Sequence, residues 1–132
     1  MTQVTDADLI AAAQKAREQA FAPYSHFKVG AALLTASGEV FTGCNIESAS
    51  YGLTVCAERV AVFKAVSQGA RQFVKIAIVA DTDQLTPPCG ACRQVLWELC
   101  GDVPVLLANP QGAVASYQMR ELYPHPFDKR YV

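Results

Sequence analysis

The sequence predicts an α/β domain in which helices layer a β-sheet, and three observations point there. The runs Phe73 to Ala80 and Val103 to Ala108 are almost wholly apolar, as strands covered on both faces are. Helix-like segments, Cys56 to Gln68 and Gly90 to Cys100, alternate with those strands, the pattern of β-helix-β crossovers. The 132 residues, against a prior of about 150 per domain, make a single domain over 1–132. A chain of that size buries roughly two-thirds of its unfolded surface, enough for a full core.

The elements follow in order. From Asp6 to Ala20, Leu9, Ile10, Ala13, Ala16 and Ala20 recur at three- and four-residue spacing, with Thr5 or Asp6 as cap: an amphipathic helix. The aromatic loop Phe21-Ala22-Pro23-Tyr24-Ser25-His26-Phe27 comes next. Lys28 to Thr35 and Val40 to Cys44 flank the Gly-containing connection Ala36-Ser37-Gly38-Glu39 and read as a hairpin. Cys56 to Gln68 is rich in Ala and Val, and Gly69 is its stop signal. The strand Phe73 to Ala80 leads through Asp81 to Pro88 into the helix Gly90 to Cys100, and Val103 to Ala108 is the next strand. Asn109-Pro110-Gln111-Gly112 supplies turn chemistry before a last strand, Ala113 to Tyr117. No repeat or low-complexity segment interrupts this order.

Composition excludes several classes. Hydrophobic residues make up 52% and charged residues 17%, the reverse of a disordered chain. Eleven basic against twelve acidic residues give a formal charge of -1, so no electrostatic footprint for a nucleic-acid backbone exists. A small-molecule partner fits better. No apolar run approaches the roughly 18 residues needed to cross a bilayer, and the first residues lack a signal-peptide pattern; the expected address is the cytoplasm. Thiols stay reduced there, so the five cysteines point to metal binding or catalysis instead of disulfides.

Three of those cysteines stand out: Cys56 in Cys56-Ala57-Glu58-Arg59, and the pair in Cys89-Gly90-Ala91-Cys92. Residues three apart on a helix share a face, so Cys89 and Cys92 can point at one metal. Cys56 and Glu58 are two apart and converge only if Cys56 stands at the helix entrance with Glu58 in the first turn. Both motifs then set thiols at helix N-termini, where partial positive charge favours the thiolate. Three ligands with an open fourth position is the pattern of catalytic zinc. Arg59 and Arg93 follow the ligand motifs directly. Either can donate hydrogen bonds to sulfur and offset the surplus thiolate charge, and Arg59 is the favoured one.

A glutamate beside three zinc-binding cysteines is an arrangement used by nucleobase deaminases. The chain resembles the cytidine deaminases of the short, homotetrameric, three-cysteine kind. The segments that carry the resemblance are Ala22 to Leu33 (Ala-Pro-Tyr-Ser-His-Phe-Lys-Val-Gly-Ala-Ala-Leu), Gly43-Cys44-Asn45-Ile46-Glu47, Cys56 to Arg59, and Pro88 to Leu96. The resemblance implies a three-layer α/β/α fold around a central mixed five-stranded sheet. It implies zinc on Cys56, Cys89 and Cys92, with Glu58 as proton shuttle in hydrolytic deamination of cytidine and 2'-deoxycytidine, a step of pyrimidine salvage. It also implies that Phe27 packs on the pyrimidine, that the Ala57 amide binds the ring carbonyl, and that Asn45 and Glu47 hold the ribose 3'-hydroxyl. In such homotetramers neighbouring subunits help to complete each pocket, and Tyr51 and Phe127 are the candidates for those contacts.

Plainer readings stand beside these. Phe27 by itself suits a core, and Asn45 and Glu47 suit a strand end and a turn. Cys44 and Cys100 read as buried apolar thiols, and His26 and His125 as surface or interface residues. The rival function is a zinc-stabilised module without activity, in which Cys44 or a histidine completes four ligands. Within the enzyme class the alternative is deamination of a related aminopyrimidine nucleoside or a nucleoside antibiotic.

Overall fold

The computed structural model describes residues 3–132. The first helix, α1 (Asp6–Arg17), begins at Thr5, whose hydroxyl accepts from the Asp8 amide at 3.1 Å while the Asp8 carboxylate accepts from the Thr5 amide at 3.0 Å. This reciprocal box satisfies two amides left open by the helix start. The helix stops before the expected Ala20. Glu18, Gln19 and Ala20 each donate three residues back, to Lys15, Ala16 and Arg17, and so tighten the chain into its exit at Phe21.

The hairpin forms as expected from β1 (Val29–Thr35) and β2 (Val40–Cys44), and Gly38 takes φ +92° in its turn. Helix α2 (Ala57–Ser67), strand β3 (Phe73–Ala80), helix α3 (Gly90–Cys100) and strand β4 (Pro104–Ala108) follow. Strand β5 (Val114–Gln118) starts one residue later than its sequence pattern indicates, because the Ala113 amide is held by the Asn109 side chain in the turn. A short helix, α4 (Met119–Leu122), then leads to the C-terminal segment.

The sheet has the order β2-β1-β3-β4-β5, with β3 and β4 parallel and every other neighbouring pair antiparallel. It is a mixed five-stranded sheet. Its period-2 alternation feeds two apolar layers. Ala31, Leu33, Ile76, Ile78, Val105 and Leu107 face a core shared with Ala57, Ala61, Val62 and Ala65 of α2 and Leu96 of α3. Ala32, Ala77, Val79, Leu106 and Ala108 face the other side, under Leu9 and Ala13 of α1. The result is the expected α/β/α layering.

Two glycines set how closely the helices approach. A Cβ at Gly30 would lie 2.0 Å from the Ala13 carbonyl of α1. One at Gly43 would lie 2.5 Å from the Ala57 carbonyl and 2.6 Å from the Ala61 amide of α2. Only glycine allows backbone to meet backbone there. The second contact seats the start of α2 against the end of β2, beside the start of α3 at the carboxyl end of β3.

Candidate active site

Cys56 and Cys89 each have extended backbone (φ -72°, ψ 155° and φ -67°, ψ 171°) and occupy the N-cap positions of α2 and α3. Their carbonyls already accept the first helical bonds, from Val60 at 3.1 Å and Arg93 at 2.9 Å. Neither thiol caps its own helix, so both sulfurs are turned toward one another. Cys92 lies three positions into α3 on the same face as Cys89, and the three Sγ atoms fall within 4.8 Å of each other. The Cys56–Cys89 sulfur separation is 3.8 Å. A tetrahedral zinc with bonds of about 2.3 Å sets its sulfurs about 3.8 Å apart, so the cluster has the dimensions of a zinc site. Soft thiolate donors suit that metal as well. Among the described residues no other cluster of this kind occurs.

The electrostatics of the cluster are arranged by its neighbours. The Cys56 thiol is drawn well below its ordinary range, first by a hydrogen bond from Cys92 and then by Arg59. Cys92 moves the opposite way, because its proton is held by Cys56 and the group is buried. Arg59 reaches the Cys56 sulfur at 3.6 Å and the Thr54 carbonyl at 3.5 Å. Arg93 does something different. Its guanidinium donates to the carbonyls of Pro88 at 2.8 Å and Leu122 at 2.7 Å, so it ties the start of α3 to α4 and leaves the sulfurs to Arg59.

Glu58 lies in the first turn of α2, 5% exposed, and burial pushes its carboxyl up to about 7. Because Cys56 is outside helical register, this carboxyl and the cysteine sulfur open on the same cleft of about 170 Å³. Phe27, Val29, Asn45, Thr54, Ala57, Ile78, Thr86, Pro87 and Cys89 line the rest of it. Ala57 is the first helical residue, so its amide has no intrahelical acceptor and is free for a ligand.

The aromatic loop before β1 is held by side chains from the segment after β2. The Asn45 amide group donates to the Phe27 carbonyl at 2.7 Å and accepts from the Val29 amide at 2.9 Å. The Glu47 carboxylate accepts from the amides of Tyr24 at 3.0 Å and Ser25 at 3.1 Å, and from the Ser25 hydroxyl. These contacts hold its carboxyl below the usual carboxylate range, the Ser25 hydroxyl most of all. The strand-end and turn roles open to Asn45 and Glu47 from sequence are therefore both present.

Cys56, Ala57, Glu58, Cys89, Cys92, Phe27 and Asn45 thus come together, with Arg59 behind them. Glu47 sits behind the aromatic loop. Tyr51 is exposed and meets Tyr24 edge-on with ring centroids 6.1 Å apart. Phe127 lies outside the cleft, stacked on Tyr131 at 5.8 Å, and its carbonyl accepts from Gln94 at 2.6 Å. Cys44 and Cys100 are half-buried and outside the cluster, and burial pushes the Cys100 thiol up to about 12. His26 and His125 are exposed, as expected. Sequence reasoning passed over Thr54, Thr86 and Pro87 as lining and Ser25 as a connector. Ser25 did carry a signal: a hydroxyl two residues before an aromatic in a tight loop.

Residues 3–107 match the family described as the cytidine and deoxycytidylate deaminase zinc-binding region. The chain is 58% identical to the cytidine deaminase of Halalkalibacterium halodurans over 120 residues, covering 90% of this chain and 91% of that protein. It is 53% identical to the cytidine deaminase of Sporosarcina psychrophila over 122 residues, covering 92% and 90% of the two. The crystal structure of cytidine deaminase from Burkholderia pseudomallei superposes with a TM-score of 0.91 at 52% identity, covering 93% of this chain and 99% of that one. A site built from two helix N-caps, three converging thiols and a buried carboxyl thus comes with close relatives on the same fold, and the chain belongs to the cytidine and deoxycytidylate deaminase zinc-binding family.

Proposed function

We propose that this chain is a zinc-dependent hydrolase that converts cytidine and 2'-deoxycytidine to the uridine compounds and ammonia. One observation carries the reading: the buried Glu58 carboxyl shares a base-sized cleft with Cys56 and Cys89, two of the three clustered thiols. A purely structural metal site has no use for that carboxyl. Zinc, when held by Cys56, Cys89 and Cys92, supplies the Lewis acidity that makes water a nucleophile near neutral pH.

The chain's own residues do the rest. Glu58 accepts a proton from the attacking water and delivers it to ring N3, which makes C4 electrophilic. It then takes the second proton from the hydroxyl that attack leaves on C4 and passes it to the amino group, so that the C4 carbonyl forms as the C4–N bond breaks and ammonia leaves. A carboxyl titrating near the working pH serves both directions. Phe27 lies against the pyrimidine face, and the Ala57 amide donates to the ring carbonyl. Arg59 offsets the charge of three thiolates through its contact with Cys56.

Asn45 and Glu47 take the ribose 3'-hydroxyl on this reading, and valence permits it. Asn45 has a second amide hydrogen to donate. Three hydrogen bonds fill three of the roughly four lone-pair sites of the Glu47 carboxylate, and one remains to accept the hydroxyl.

The reading extends to the assembly. Phe21, Tyr24, Ile46, Tyr51 and Leu53 stand exposed near the cleft, and Phe127 and Tyr131 form a second apolar patch. Contiguous exposure of this kind marks interaction surfaces. A homotetramer in which Tyr51 and Phe127 reach a neighbour's pocket would cover both patches. The whole chain, 1–132, acts as one domain, and five free thiols suit the reducing cytoplasm.

Purified zinc-loaded protein incubated with cytidine should lose the aminopyrimidine absorbance and release ammonia. No change with cytidine or 2'-deoxycytidine, but turnover of another aminopyrimidine nucleoside, would move the substrate while keeping the chemistry. No turnover of any of them would leave the zinc-stabilised module.

A further inference from the structure

The Ser25 hydroxyl stands between two groups of the site and contacts both. It donates to the Glu47 carboxylate and accepts from the Phe27 amide at 3.0 Å. The Phe27 carbonyl is taken by Asn45 at 2.7 Å, so both the amide and the carbonyl of the residue that carries the aromatic ring are held by side chains. The residue between them, His26, has φ +59°, a left-handed conformation that a non-glycine residue keeps only when its surroundings enforce it. Enforcement is visible here. The His26 amide donates to Ala22, and the Ser25 and Tyr24 amides donate to Glu47.

We propose that Ser25 is a positioning residue for sugar recognition: its hydroxyl orients the Glu47 carboxylate toward the ribose 3'-hydroxyl and couples that carboxylate to Phe27. The inference rests on the reading of Glu47 as a sugar ligand and adds the residue that sets its geometry. A hydroxyl has one proton, and the Phe27 amide is a donor that takes only a lone pair. The Ser25 proton is therefore committed to Glu47. With Ser25 and the two amides occupying three lone pairs, the carboxylate presents one remaining lone pair in a fixed direction. It acts only as an acceptor, which is what a sugar hydroxyl needs and what a 3'-deoxy sugar cannot use. Without the Ser25 hydroxyl the carboxylate can rotate, and the Phe27 amide loses its acceptor.

The test compares cytidine with 3'-deoxycytidine in the zinc-loaded enzyme and in Ser25→Ala and Ser25→Thr. Wild type should prefer cytidine strongly. In Ser25→Ala the KM for cytidine should rise roughly tenfold to a hundredfold, the worth of one hydrogen bond to a charged group, while kcat changes little. The 3'-deoxy substrate should be affected much less, so the preference shrinks by a similar factor. Ser25→Thr, which keeps the hydroxyl, should restore most of it. Zinc content should stay close to wild type, because Ser25 lies outside the thiol cluster. Should Ser25→Ala fail to fold, Ser25→Cys gives the same comparison with a much weaker donor. A wild type that discriminates and a Ser25→Ala that discriminates equally would overturn the role of Ser25 and leave Glu47 in the site. A wild type indifferent to the 3'-hydroxyl would remove Glu47 and Ser25 together.

Discussion

Glu58 shows how one side chain draws its chemistry from its place. An exposed glutamate is ionised at neutral pH, whereas burial holds this one near 7 and lets it carry a proton in both directions. Glu58→Gln should keep the fold and bound zinc and lose at least about 10²–10⁴-fold in turnover, measured as initial deamination rate beside metal analysis. A near-wild-type rate in a zinc-loaded variant would falsify the shuttle. The same raised pKa has a stability signature in the metal-free protein. Between about 4.5 and about 7 the folded state binds a proton that the unfolded state has released, so this group's contribution is present below 4.5 and is lost as pH rises through 7. Urea unfolding of metal-free wild type and Glu58→Gln should therefore diverge across that window. Wild type should lose on the order of 3 kcal/mol relative to the variant. For the metal itself, Cys89→Ala should lose zinc while Cys44→Ala keeps it, since Cys44 lies outside the cluster. Equal zinc loss from both would make the site a structural one.

At the level of elements, much of the design was legible from sequence. Both ligand-bearing helices, the hairpin and the buried strands follow from periodicity and turn residues. Helix geometry sets the condition that Cys56 and Glu58 converge only with Cys56 at the helix entrance, and the extended backbone at Cys56 meets it. Helix ends were harder to read. The last turn of α1 depends on the local competition between three- and four-residue hydrogen bonds, which composition does not record. The contacts of Asn45, Glu47 and Ser25 were illegible for another reason. They join segments about 20 residues apart, brought together by the antiparallel pairing of β1 with β2 and by the bridge between Phe21 and Ile46. The two close-approach glycines allow a paired test. Gly30→Ala and Gly43→Ala both drive a methyl into helix backbone and should each cost about 1–3 kcal/mol in thermal or urea unfolding. Only Gly43→Ala displaces the start of α2, so it alone should also lower kcat. Equal effects on kcat would show that α1 communicates with the site as directly as α2 does.

On the scale of the whole molecule, the exposed aromatic patches carry the assembly prediction. Light scattering at assay concentration should give four chains, and Phe127→Ala should weaken cytidine binding if its ring enters a neighbouring pocket. A fully active monomer would sink both expectations. The site also reaches beyond chemistry. Cys56 and Cys89 are separated by 33 positions, and the chain between them holds α2 and the central strand β3. An ion held by both is bound by the folded chain and released on unfolding, so its binding free energy adds to the stability of that whole stretch. Chelators should therefore lower the melting temperature as well as stop turnover. Metal supply would then govern how long each molecule survives proteolysis, and deamination capacity would follow zinc availability through protein lifetime even where every surviving site is loaded.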